Sequence, residues 1–170
     1  MSVSLRHLLV TAICLAFPIP AEVDAQTLRV QWDGHADFTK YHSFAWTPGR
    51  RVPDDSNHEL LVQSIRDALG VAAIFEDDSA PELDVTYYAS ATESFEIKGG
   101  YSASWQDTQA VTVDSQVAGS LVVDIVDVST NQLVWRATAS GTIDRNPKKN
   151  RKAILEAVSK MFADFPPPKP

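Results

Sequence analysis

The alternation of apolar and polar residues predicts strands along the middle of the chain. In residues 83–91, Leu, Val, Tyr and Ala alternate with Asp, Thr, Tyr and Ser, and this period of two is typical of a half-buried strand. The other segments with a similar period are 27–31, 41–46, 110–114, 119–127 and 133–143. The last three follow one another through short connections, which predicts an antiparallel sheet.

Two amphipathic helices are predicted outside these strands. Ser56 and Glu59 have the spacing of a capping box at the start of the first helix, and Gly70 is placed to end it in the left-handed conformation. The second helix is predicted to begin at the N-cap Asn146, with Pro147 at its first position. Both helices carry an apolar stripe that must be covered. The predicted fold class is therefore α+β with two layers, an antiparallel β-sheet and two amphipathic helices packed on one of its faces.

The N-terminal residues 1–25 have the pattern of a signal peptide. Arg6 and His7 form a short basic start, an apolar run of signal-peptide length follows, and Ala25 has the small side chain that cleavage requires. The apolar run is shorter than the ~20 residues of a membrane-spanning helix. We therefore expect export, cleavage between Ala25 and Gln26, and a protein of the bacterial periplasm.

Cys14 is the one cysteine of the chain and lies inside this segment. A lipoprotein would be acylated at such a cysteine, but Ile13 stands where that processing needs a small residue. Lipidation is therefore disfavoured, and an outer-membrane lipoprotein anchored through Cys14 stays as the alternative. A mature chain without cysteine has no disulfide, no thiol nucleophile and no thiolate metal site.

The length and composition suit one folded domain after the signal peptide. We expect this domain to span residues 26–167, followed by a proline-rich tail at 168–170. The formal net charge of −7 disfavours nucleic acid as a partner, because a nucleic-acid binder needs a basic surface against the phosphates. No HExxH, GxSxG, P-loop or GxGxxG pattern occurs, so we expect no metal, no cofactor and no catalytic residue.

Two carboxylates in the apolar run 119–127 raise the question of acid–base chemistry. Asp124 and Asp127 are an odd number of residues apart, so on one strand their side chains point to opposite faces and share no pocket. Asp127 precedes a turn and is predicted to accept hydrogen bonds from the N–H groups of that turn. Asp124 is predicted to pair with Arg136 across two strands, or to contact something outside the fold.

The other candidate contacts for a partner are aromatic or basic. Tyr101 and Trp105 lie in an irregular segment that contains two consecutive glycines, and an exposed aromatic residue there would suit recognition. The remaining candidates are four cations at the start of the second helix, Lys148, Lys149, Arg151 and Lys152. Cations are disfavoured at a helix N-terminus, so this cluster is either a solvated face or a site for an anionic partner that offsets them.

Four stretches together resemble DUF4136, a family of bacterial envelope proteins with a domain of unknown function. They are YHSFAWTP at 41–48, LDVTYYAS at 83–90, GSLVVDIVDVSTNQLVWRATASGTID at 119–144 and NPKKNRKAILEAVSKMFADFPP at 146–167. The most specific parts are G-x-L-x-x-D-I-x-D, L-V-W-R and the ending A-D-F-P-P. The resemblance spans about Leu28 to Pro167. It implies an envelope protein, in a family that often carries a lipoprotein signal, and it implies no catalytic residues.

We therefore expect a non-enzymatic binding or assembly module of the envelope, whose partner is another envelope protein or envelope component. The alternative is a periplasmic carrier of a small molecule or lipid, with a pocket between sheet and helices. Such a pocket is predicted to be lined by Tyr87, Trp135 and Phe162. The third hypothesis is a hydrolase that uses Asp124 with Glu93 or Glu96.

Overall fold

The computed structural model describes residues 27–98, 112–144 and 146–168. Within these ranges it contains six strands and two α-helices. In chain order they are β1 (Thr27–Trp32), β2 (Ser43–Trp46), α1 (Asp55–Val71), β3 (Phe75–Glu76), β4 (Leu83–Lys98), β5 (Thr112–Asp127), β6 (Gln132–Ile143) and α2 (Pro147–Met161). A short 3-10 turn, Phe38–Lys40, precedes β2.

The six strands form one mixed sheet in the order β1-β6-β5-β4-β2-β3. Strands β4, β5, β6 and β1 pair antiparallel, as predicted, but β2 runs parallel to both β4 and β3. The prediction of a purely antiparallel sheet is therefore wrong. The physical reason is the crossover, because helix α1 returns the chain to the end of the sheet where β2 began, and β4 then runs in the direction of β2.

The ends of α1 differ from those predicted. Asp54 is the N-cap, and its side chain accepts from the N–H of Asn57 at 2.8 Å, so the capping box of Ser56 and Glu59 is not formed. Gly70 lies within the helix, and the left-handed residue is Ala73, with a φ of 59°.

Two backbone hydrogen bonds close this helix end in a Schellman motif. The N–H of Ile74 donates to Leu69 and the N–H of Ala73 donates to Gly70. Ile74 and Leu69 are both buried in the core, as is usual for the hydrophobic residues that flank this motif. Helix α2 begins as predicted, since the side chain of Asn146 accepts from the N–H of Lys148 at 3.0 Å.

One hydrophobic core includes residues of both helices and of the sheet. Its largest fully buried side chains include Leu61 and Ile65 of α1, Met161 of α2 and Trp135 of β6. The two helices also contact each other, and α2 contacts β1 and β6. Among the described residues, no helix is both long enough and apolar enough to cross a membrane.

Candidate functional site

Asp124 and Arg136 form a bidentate ion pair across β5 and β6. The register places the two residues directly opposite each other. Nε of Arg136 donates to Oδ1 of Asp124 and Nη2 donates to Oδ2, both at 2.6 Å. The side chain of Asp124 is 8% exposed and that of Arg136 is 44% exposed. The hydrogen bonds to Asp124 raise the pKa of Arg136 above its ordinary value. The predicted pairing of these two residues is confirmed.

Asp127 lies on the opposite face of the sheet from Asp124. Asp124 stands opposite Thr86 of β4, whereas Asp127 stands opposite Leu83, which belongs to the buried core face. Oδ1 of Asp127 accepts from the hydroxyl of Ser129 at 2.6 Å and from the N–H of Thr130 at 3.0 Å. The predictions that the two carboxylates are separated and that Asp127 caps the turn are both confirmed.

The second oxygen of Asp127 has two partners that the sequence did not indicate. Oδ2 accepts from Nζ of Lys40 at 2.8 Å and from the hydroxyl of Tyr41 at 2.6 Å. These donors come from the turn before β2, 87 and 86 residues away in sequence, and no local pattern connects them to Asp127. Burial, followed by the hydrogen bond to Asp127, raises the pKa of Tyr41 to about 12.

The carboxylates of the hydrolase hypothesis do not come together. Glu93 lies seven positions along β4 from Thr86, the residue opposite Asp124. At roughly 3.4 Å per residue this is a separation of about 24 Å, far beyond the reach of two side chains. Along β4, Glu93 alternates in step with the core-facing residues Leu83, Val85 and Tyr87, so it lies on the core face of the sheet, whereas Asp124 lies on the other face. Nothing is described of the side chain of Glu96.

Strands β4 and β5 extend beyond the rest of the sheet. Strand β6 ends at Ile143, opposite Val117 of β5. Past this point β4 and β5 continue for five residue pairs, to the pair of Lys98 and Thr112. We name these pairs, residues 94–98 and 112–116, the β4–β5 ribbon. In the part of the chain that the structure describes, no third strand pairs with either edge of the ribbon.

The aromatic contacts and the cleavage site cannot be placed. Tyr101 and Trp105 would follow the end of the ribbon, but they lie outside the described residues, as do Ala25 and Gln26.

The basic cluster at the start of α2 is partly neutralised. Nζ of Lys149 lies 2.9 Å from Asp144, and Nζ of Lys152 lies 3.5 Å from Glu156. Lys148 and Arg151 are exposed. Because Asn146 already caps the N-terminus of the helix, the structure provides no separate reason for an anion there.

A cleft of about 430 Å³ lies between the helices and the sheet, but its lining differs from the prediction. Tyr87, Trp135 and Phe162 are all buried in the core and do not line it. The rings of Trp135 and Phe162 pack with their centroids 4.7 Å apart, and the hydroxyl of Tyr87 contacts Nδ1 of His58. The predicted lining is therefore wrong, because these large side chains fill the core. Over the described ranges, no group of three or more His, Cys, Asp or Glu side chains is arranged to hold a metal ion.

Comparisons with known proteins agree with the fold. A family model described as "Domain of unknown function (DUF4136)" matches residues 28–167. No curated protein sequence matches the chain.

Solved structures with a similar fold include the following two. One is a PDZ domain protein from Parabacteroides distasonis, 12% identical with a TM-score of 0.56, and the similarity covers 85% of this chain and 37% of that one. The chain thus spans little more than a third of that protein. The other is a single-substitution variant of the PelC dodecamer from Paraburkholderia phytofirmans, which is 16% identical with a TM-score of 0.50. This similarity covers 82% of the present chain and 95% of the PelC chain. At such identities the similarity shows the fold alone.

Proposed function

Because the chain belongs to the DUF4136 family, whose function is unknown, we propose a role from its own geometry. The protein is an exported bacterial envelope protein that binds another envelope protein through the β4–β5 ribbon and catalyses no reaction. The signal-peptide pattern of residues 1–25 supports the export, and the resemblance to an envelope family supports the compartment.

The ribbon is the observation that carries this proposal. A two-stranded hairpin is at best marginally stable in water on its own, and its unpaired edges attract further strands. In the described part of the chain no further strand pairs with either edge of the ribbon, and its outer four pairs, residues 95–98 and 112–115, are therefore a surface on which a strand from a partner can add. Main-chain hydrogen bonds would supply the affinity of such a contact.

The surroundings of the two buried carboxylates support a non-enzymatic role. Both oxygens of Asp124 are held by Arg136. The oxygens of Asp127 accept from four donors, among them Tyr41 and Lys40. A general base needs a free lone pair directed at a substrate proton. Four donors match the four lone pairs of Asp127, and the bidentate contact with Arg136 engages one lone pair on each oxygen of Asp124.

The similarity of fold to PelC is compatible with association. That protein is a dodecamer, so this arrangement of strands and helices occurs in at least one protein assembly. The proposed partner of the present chain is nevertheless a different envelope protein, and crosslinking distinguishes it from a second copy of the same chain.

Removal of the ribbon tests the docking role. Replacement of residues 94–116 by Asn-Gly joins Glu93 to Val117 through a two-residue hairpin turn and leaves the six-stranded body intact. Crosslinking in intact cells, followed by mass spectrometry, is expected to capture an envelope protein with the natural chain and to lose it with this variant. The matched control replaces only residues 99–111 by Asn-Gly and keeps the ribbon, and it should retain the crosslink.

Three outcomes would contradict the proposal. They are an unchanged crosslink after ribbon removal, a crosslink only to a second copy of the same chain, and saturable turnover of an ester, glycoside or peptide by the purified protein. Thermal unfolding of both variants ensures that a lost crosslink does not reflect a lost fold. N-terminal sequencing of the periplasmic protein is expected to begin at Gln26, and an acylated Cys14 would instead establish the lipoprotein alternative.

A further inference from the structure

The cleft between the helices has an apolar floor. One row of residues across three strands forms it, with Ala89 on β4, Leu121 on β5 and Ala139 on β6. Leu61 of α1 and Ile154 of α2 line its sides. The volume of about 430 Å³ lies within the range of cavities that hold small ligands.

The cleft exists because the core-facing side chains become small along the sheet. The row before the floor carries Tyr87 and Val123, which are 5% and 0% exposed under the helices. The row after the floor contains Ala91 of β4 and pairs Gly119 with Gly141, so its own side chains are small or absent, and the side chain of Ile143 lies over Gly119. Leu121 is only half-buried, so part of its apolar surface faces the cleft.

An occupant finds no hydrogen bonds on this floor. Strand β5 is paired with β4 and β6 there, and β6 is paired with β5 and with β1. On the other edge of β4, the N–H of Ala89 donates to the carbonyl of Arg50 at 2.8 Å. Over this row a sugar, nucleotide or peptide would lose hydrogen bonds to water without replacement, whereas a hydrocarbon chain has none to lose. The polar residues of the lining, among them Asn57, Asn150 and Glu156, lie outside this row.

We propose that this cleft binds a single aliphatic acyl chain, with the polar head of the ligand at the rim beside Asn57. Asn57 lies in the first turn of α1, lines the cleft and is half-buried. Within the described residues its carboxamide has no hydrogen-bond partner, so it is free to bind a carboxylate or ester oxygen. This site begins near the base of the β4–β5 ribbon, because Ile143 lines it and pairs with Val117, but it shares no residue with the ribbon and goes beyond the docking function.

The test is the binding of oleate to the purified protein. Displacement of a fluorescent dansyl fatty acid by oleate measures the affinity, and the thermal unfolding midpoint should rise with oleate concentration. Ala89→Phe fills the floor with a ring and is expected to weaken binding at least tenfold. The matched control is Val122→Phe. Val122 pairs with Tyr88 on the opposite face of the sheet and does not line the cleft, so this ring should keep the affinity within about twofold.

A second variant and a second probe make the outcome unambiguous. Asn57→Ala should weaken oleate binding about fivefold without affecting the fold, as expected for the loss of one hydrogen bond.

Displacement of the probe by phosphatidylglycerol vesicles as well would identify the source as a membrane lipid, and displacement by oleate alone would identify a free fatty acid. No saturable oleate binding, or equal loss in Ala89→Phe and Val122→Phe, would overturn the proposal. The variant without the ribbon should still bind oleate, so failure of one proposal leaves the other intact.

Discussion

The hydroxyl of Tyr41 donates to Oδ2 of Asp127 at 2.6 Å, although the two residues are 86 positions apart in sequence. Lys40 donates to the same oxygen, and the turn residues Ser129 and Thr130 donate to the other one. Asp127 is 3% exposed. Its carboxylate therefore links the turn before β2 to the turn after β5, on either side of the central strand β4.

We predict that Asp127→Asn lowers the free energy of unfolding by about 2–3 kcal/mol. The amide keeps the size of the side chain but loses the charge that strengthens four hydrogen bonds, and hydrogen bonds to a charged group are each worth about 1.5–3 kcal/mol. Half of the side chain of Lys40 is exposed, and because solvent screens its charge, the ion pair with Asp127 adds little to the stability. Urea unfolding measures the change.

The matched control for this prediction is Asp77→Asn. Asp77 also accepts from a serine hydroxyl and an N–H two residues on, but it lies in an exposed loop. Its substitution is expected to lower the free energy of unfolding by much less than that of Asp127, as is usual for surface positions. Equal costs at the two positions would mean that the long-range donors to Asp127 contribute nothing.

The cost of Asp127→Asn should depend on pH. Burial acts to raise the pKa of Asp127, but hydrogen bonds from Lys40, Ser129 and Tyr41 outweigh burial and hold it well below its ordinary value. A carboxylate with a depressed pKa in the folded state contributes stability above the pKa of the unfolded chain, about 3.9, and loses it as the pH falls toward the folded value. The difference between natural protein and variant should therefore be complete at pH 7 and shrink below about pH 4.

Urea unfolding between pH 7 and pH 3 measures this dependence. Val85→Ala provides the control, because a buried valine does not titrate and its cost should stay constant over the same range. A cost of Asp127→Asn that is as large at pH 3 as at pH 7 would contradict the shifted pKa.

The local parts of this structure could be predicted from the sequence. The alternation in residues 83–91 and 119–143 is visible because each strand has one face on the core. The pairing of Asp124 with Arg136 followed from the hairpin, since residues about equally far from one turn meet across it. Asn146 and Pro147 marked the start of α2, because a good N-cap residue is followed there by proline, which suits the first helical position. At α1, where Asp54 and Ser56 are both suitable N-caps, the sequence did not decide between them.

Features that depend on distant segments left no such pattern. The parallel placement of β2 depends on where α1 delivers the chain, and the donors Lys40 and Tyr41 reach Asp127 only in the folded state. The cleft depends on small residues that meet from three strands, such as Ala89 and Gly119. Each of these is unremarkable in its own segment, so the sequence indicated a pocket lined by large aromatic residues instead.

We predict that Ala73→Gly stabilises the protein by about 0.5–1 kcal/mol. Ala73 adopts a φ of 59°, a left-handed conformation that costs a residue with a Cβ about 1–2 kcal/mol, whereas glycine adopts it freely. The greater freedom of glycine in the unfolded chain offsets part of this gain. The control is Ala72→Gly, because Ala72 has an ordinary φ of −85° and should lose about 0.5–1 kcal/mol. Destabilisation of similar size by both changes, measured by urea unfolding, would refute the left-handed assignment.

A double-mutant cycle on Asp124 and Arg136 should show that removing one partner lowers the free energy of unfolding more than removing both. Arg136→Leu leaves a carboxylate that is 8% exposed without its partner, and we expect a loss of about 2–3 kcal/mol, less than for a fully buried pair because water can enter where the arginine stood. The further change Asp124→Val removes the unpaired charge and should recover more than half of that loss. Arg29→Leu, at an exposed arginine on β1, serves as the control and should change stability by less than about 0.5 kcal/mol. If the double variant is less stable than Arg136→Leu alone, the carboxylate of Asp124 has a stabilising partner within the fold other than Arg136, and the prediction is contradicted.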